Sequence, residues 1–114
     1  MSRLKTKPES VCPVANAARL LGDRWTLVIL RDLADGPMRF SELEESSGGI
    51  SPRTLADRLR DMEERGLISR ESFREIPPRV EYTLTAKGHD TLPVIEALRS
   101  FGRRWLSESE QQCC

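Results

Sequence analysis

The stretch that most constrains this chain lies between positions 41 and 84, where a capped helix, a glycine turn, a second capped helix and a hairpin follow one another almost without linker. Ser41-Glu42-Leu43-Glu44 reads as a capping box, with Ser41 and Glu44 in the reciprocal positions. It opens a short helix that ends at Ser46-Ser47-Gly48-Gly49. After Ile50, Ser51-Pro52 marks a second start: serine suits an N-cap, and proline the first helical position. That helix runs to about position 65 and stops at Gly66, with Leu55, Leu59 and Met62 spaced to form one apolar stripe. Two strand-like segments, 67–73 and 79–84, then flank Glu75-Ile76-Pro77-Pro78, with Val80, Tyr82 and Leu84 alternating against Arg79, Glu81 and Thr83. This is a β-hairpin, and a lone hairpin must pack on something larger to be stable. The succession has the outline of a helix-turn-helix followed by a wing.

The flanking segments are helical. Positions 13–21 open on Pro13 and place Val14, Ala17, Ala18 and Leu21 at helical spacing before Gly22. Asp23 can cap a second helix over 23–35, whose Trp25, Val28, Ile29 and Leu33, widened by Leu27 and Leu30, predict a mostly buried element. Gly36-Pro37 ends it, and Met38-Arg39-Phe40 is a short bridge or edge strand. Thr85 caps a final helix carrying Leu92, Ile95, Leu98, Phe101, Trp105 and Leu106, in which Pro93 should either kink the helix or mark a restart. The expected fold is mainly α with a small β-hairpin (α+β): one domain over 12–107, between a flexible arm at 1–11 and a polar tail at 108–114.

Charge does not announce a partner. Eighteen basic residues balance eighteen acidic ones, so a nucleic-acid site must come from local arrangement. Arg3, Lys5 and Lys7 precede any acid and form either a basic arm or a solvated tail. No secretory signal or membrane-length apolar run occurs, so a cytoplasmic protein is expected. Three cysteines (Cys12, Cys113 and Cys114) and a single histidine, His89, fit neither a disulfide framework nor a zinc site, and no metal or other cofactor is expected. The sequence contains no G-x-S-x-G elbow, glycine-rich phosphate loop or paired-carboxylate site. A thiol enzyme built on Cys12 would lack a base, because His89 lies far along the chain; the chain is expected not to be an enzyme.

The second helix of the motif is the candidate reader of DNA. Its stripe faces the core, while Arg53, Thr54, Asp57, Arg58 and Asp61 project away from it. Arg53 and Thr54 occupy the first turn, where docked helices present side chains to base edges. Arginine can bind guanine bidentately, and threonine can reach phosphate or a thymine methyl. Asp57 would be costly beside phosphate, so it should accept from cytosine or orient Arg58. Arg53, Arg58 and Arg60 against Asp57 give positions 50–60 a local excess of two positive charges. Arg74 and Arg79 flank the hairpin turn and are the wing's candidates for phosphate or minor-groove contact. With Arg39, Ser41 and Ser51, these residues make up the candidate DNA-contacting set. A winged helix used for protein interaction alone is the alternative that neutral net charge keeps open, and salt-dependent binding to duplex DNA separates the two.

Cys12-Pro13, Gly22-Asp23-Arg24-Trp25, Arg39-Phe40-Ser41-Glu42-Leu43, Ile50-Ser51-Pro52-Arg53-Thr54-Leu55, Glu64-Arg65-Gly66-Leu67 and the run from Pro77-Pro78 to Thr85 occur in an order that closely resembles the HxlR family of bacterial regulators, relatives of the MarR group. The resemblance covers about 12–102. It implies a dimeric winged helix-turn-helix regulator bound to double-stranded operator DNA, with 51–65 in the major groove and 67–84 as the wing. It further implies dimerisation through the first and last helices. Leu92, Ile95, Leu98, Phe101 and Trp105 agree with that, since they offer more apolar surface than so small a chain covers by itself. A two-fold homodimer sets its recognition helices about 34 Å apart, matching a pseudo-palindromic operator.

Cys12 lies one residue before a helix start, where the helix dipole favours thiolate. Some family members sense oxidants or electrophiles through a cysteine at the matching position, which makes Cys12 the candidate redox residue and a small-molecule or oxidant effector a candidate partner. The competing reading is a small buried hydrophobe that packs the helix end.

Overall fold

The computed structural model describes residues 11–106. The arm up to position 10 and the tail, with Arg3, Lys5, Lys7, Cys113 and Cys114, lie outside them. Six helices and one hairpin follow in the order α1 (Pro13–Leu21), α2 (Arg24–Leu33), α3 (Phe40–Ser46), α4 (Pro52–Glu64), β1 (Ile68–Phe73), β2 (Arg79–Leu84), α5 (Ala86–His89) and α6 (Leu92–Trp105).

Each boundary has a local cause. Cys12 is the N-cap of α1, and its Sγ accepts the Ala15 N–H at 3.4 Å. Asp23 caps α2 by accepting the Thr26 N–H at 3.0 Å, and Ser51 caps α4 by accepting the Thr54 N–H at 3.1 Å. Gly66 ends α4 with φ +80°, a left-handed conformation that costs glycine nothing. Lys87 Nζ then reaches back to the Arg65 carbonyl at 2.8 Å and satisfies the end of α4.

One expected boundary moved, and one left open by the sequence is decided. The helix expected to start at Ser41 starts at Phe40 with Arg39 in the N-cap position, so Ser41 and Glu44 are not a reciprocal capping pair. Instead Glu42 Oε1 accepts the Arg39 N–H at 2.8 Å. Only that half of a capping box forms, because a guanidinium has no lone pair to offer. At the other end, Pro93 marks a restart. α5 stops at His89, and α6 begins at Leu92 with the proline in its first turn.

One apolar core holds these elements together. It takes Ile29, Leu30 and Leu33 from α2, Leu43 from α3, Leu55, Leu59 and Met62 from α4, and Ile95 from α6. Ile50, Leu67, Ile68 and Leu84 close it from the connecting segments and the hairpin. The hairpin is antiparallel, with Ile68 opposite Leu84 and Phe73 opposite Arg79. Met38 adds a single bridge to its outer side, exchanging both backbone hydrogen bonds with Tyr82 at 3.0 and 2.8 Å. The wing is thereby fastened to the connection that leads into α3. Gly88 lets α5 lie against the base of the hairpin, since a Cβ there would collide with the Leu67 carbonyl.

α1 is the exception, because it buries no residue. Val14 is 77% exposed, and only Leu20 and Leu21 reach the core. Among the described residues no helix is long and apolar enough to cross a membrane.

Candidate nucleic-acid interface

The motif places α4 as the sequence reading requires. Leu55, Leu59 and Met62 are buried at 0%, 2% and 1% exposure, so α4 is fixed about its axis and its opposite side must face solvent. Arg53 lies on that side, exposed, in the first turn and with no ion pair among the described residues. Ser51 and Thr54 are the cap pair: the Ser51 hydroxyl accepts the Thr54 N–H and also bonds Thr54 Oγ1 at 2.9 Å. Ser51 therefore acts first as the residue that starts the helix. Arg39 and Ser41 are exposed at the start of α3.

Of the two roles expected of Asp57, the structure removes the orienting of Arg58. Asp57 does not orient Arg58; its Oδ1 accepts from Arg60 Nη1 at 3.3 Å. The reason is spacing, since side chains three apart share a helix face and adjacent ones do not. Arg58 turns the other way and binds Asp23, with Nε at 2.9 Å from Oδ2 and Nη2 at 3.4 Å from Oδ1. Asp23 is thus both the cap of α2 and a carboxylate clamp on α4. Partial burial works to raise its carboxyl, but the hydrogen bonds from Arg58 and Thr26 and the charge of Arg58 outweigh that and hold it below the ordinary 3.8. The same bond raises the Arg58 guanidinium further, so both partners are charged at neutral pH. Asp23 was legible in the sequence as a cap and not as a partner of α4, because the contact spans 35 positions.

On the wing the two candidates part company. Arg74 is exposed and makes no ion pair among the described residues. Arg79 is held: its Nη2 is 3.1 Å from Glu75 Oε2, its Nε 3.5 Å from Glu81 Oε2, and its guanidinium lies 4.2 Å over the Phe73 ring. Glu81 stands opposite Glu71 in the hairpin register, a like-charge pairing that Arg79 offsets. Ile76, which the sequence reading passed over, is fully exposed at the hairpin tip between Arg74 and Pro77.

The last helix divides its apolar residues. Ile95 is 7% exposed and so offers almost no surface to another chain, while Leu92 packs on the core and is only partly buried. Leu98, Phe101 and Trp105 remain 47%, 61% and 66% exposed. Leu98 also lines an apolar cleft of about 380 Å³ between α2 and α6.

With this geometry in place, comparison with known proteins is decisive. The HxlR-like helix-turn-helix family model matches residues 20–110. The chain belongs to the HxlR-like helix-turn-helix family. It is a winged helix-turn-helix and a DNA-binding transcriptional regulator. An HTH-type transcriptional regulator of Synechocystis sp. is 40% identical over 103 residues, which span 90% of this chain and 76% of its own. The HTH-type transcriptional regulator YodB of Bacillus subtilis is 34% identical over 105 residues, covering 91% of this chain and 94% of its own. Among solved structures, a MarR-family transcriptional regulator of Porphyromonas gingivalis W83 superposes with a TM-score of 0.82 at 36% identity, covering 85% of this chain and 95% of its own. The redox regulator HypR in its oxidised form superposes with a TM-score of 0.80 at 30% identity, covering 84% and 99%.

Proposed function

We propose that this HxlR-family regulator acts as a homodimer on two-half-site operator DNA, with the first turn of α4 in the major groove and the wing along the adjacent backbone or minor groove. The observation that carries this is Arg53: exposed, without an ion pair among the described residues, and mounted on a helix whose other side is locked into the core. In this reading Arg53 reads a base, the half-buried Thr54 offers its methyl or hydroxyl beside it, and Arg39, Ser41 and Arg74 meet phosphate or sugar. Gel shifts on a duplex selected from genomic fragments test it. Affinity should fall steeply as salt rises and should exceed affinity for random duplex. Salt-independent or absent binding would favour a protein-interaction module.

The dimer rests on uncovered apolar surface. α1 buries nothing of its own, and α6 leaves Leu98, Phe101 and Trp105 outward. Such a patch on a soluble regulator marks an interface, and a second copy brings the same patch to it. Two recognition helices would then stand about 34 Å apart.

Cys12 is assigned the response to oxidants or electrophiles. In the single chain it is exposed at the N-cap of α1, which supports a reactive thiol over a small hydrophobe packing the helix end. HypR is a redox regulator, and a diamide-treated form of YodB has been solved. Oxidant should alter DNA binding by the wild type and leave Cys12→Ser unaffected; equal behaviour of the two would remove Cys12 from the mechanism.

A further inference from the structure

Arg58 and Asp23 carry a consequence for how the regulator discriminates. Arg58 sits one helical turn after Thr54 on the same flank of α4, close to the turn assigned to the groove. A long cation there would bind the backbone of any duplex, whatever its sequence. Its guanidinium instead engages both oxygens of Asp23. The carboxylate is itself oriented from α2, since Oδ2 also accepts the Thr26 N–H at 3.0 Å and the Thr26 hydroxyl at 3.3 Å. Both side chains remain more than one-third exposed, at 36% and 39%. A pair this open adds little to stability. Its main effect is on where the charge of Arg58 can go.

We propose that Asp23 is a specificity-determining positioning residue: it holds Arg58 away from the DNA backbone, so that α4 binds through the contacts of Arg53 and Thr54 rather than through indiscriminate charge. The partner that Asp23 competes with is a phosphate of duplex DNA. This rests on the reading that α4 lies in the groove. It also reassigns Arg58 from a DNA contact to a restrained charge. The neutral net charge of the chain fits this device, because a regulator with few spare cations depends on contacts that read sequence.

Asp23→Asn separates the two roles of the residue, since asparagine caps a helix as well as aspartate does but offers Arg58 only a neutral acceptor. The measurement is the slope of log affinity against log salt, on the selected operator and on random duplex. Releasing Arg58 should steepen the slope by about 0.9 per protomer, one additional phosphate neutralised, and should narrow the gap between operator and random affinity. Asp23→Asn combined with Arg58→Gln should return the wild-type slope. Arg58→Gln alone keeps the proposal testable even if the asparagine variant folds poorly. It should leave the slope unchanged, because Arg58 does not reach phosphate in the wild type. A slope flatter by about 0.9 in Arg58→Gln, or an unchanged slope in well-folded Asp23→Asn, overturns the restraint while leaving the placement of α4 intact. Salt-insensitive wild-type binding would overturn both.

Discussion

The first turn of α4 and the tip of the wing each carry arginine to the surface, but what lies beneath them differs. Under Arg53 are three buried side chains of the domain core and a capped helix start. Under the wing tip is a two-stranded ribbon tied to the body by Ile68, Leu84 and the Met38 bridge, with an exposed turn. The helix can therefore hold Arg53 as the proposed base recognition needs, while the wing spends one of the two arginines flanking its turn on its own cohesion. A rigid element suits base reading, and a looser one suits backbone contact.

The largest expected effect comes from removing the support of the helix. Leu55→Ala should lower unfolding stability by about 2–5 kcal/mol, visible as a drop in Tm, because Leu55 is fully buried. The matching change at the wing tip, Ile76→Ala, should leave Tm unchanged, since Ile76 packs against nothing. Equal losses would erase the contrast.

Next comes Arg53→Ala. It should cost about 1–3 kcal/mol of discrimination between operator and random duplex, with a smaller loss on random duplex. Equal loss on both would make Arg53 a phosphate contact like those assigned to the wing. The smallest effect distinguishes the wing arginines. Arg74→Gln should flatten the salt slope by about 0.9 per protomer, whereas Arg79→Gln should barely move it, because that charge is already balanced by Glu75 and Glu81. The reverse order would mean that Arg79 leaves its carboxylates when DNA binds.

Local chemistry made most of this architecture readable. Caps at Asp23 and Ser51, the stop at Gly66, and the Leu55, Leu59 and Met62 stripe act within a turn or two of chain, and the structure keeps all of them. The start of α3 was misplaced because serine two residues into a helix resembles a serine that caps it, and Arg39 gives no capping signal. What stayed hidden was the pairing of charges. Arg58 to Asp23 depends on how α4 crosses α2, and Arg79 to Glu75 and Glu81 on the hairpin register. Periodicity also could not divide the last helix, where Ile95 turns inward while Phe101 and Trp105 remain outside.

The most direct test of α4 in the major groove is methylation interference at guanine N7, an atom presented only there, on the selected operator. The account predicts that methylation at one guanine in each half-site blocks the wild type, and that Arg53→Ala loses sensitivity at that guanine alone. Binding indifferent to N7 methylation, or an interference pattern unchanged in Arg53→Ala, would contradict it.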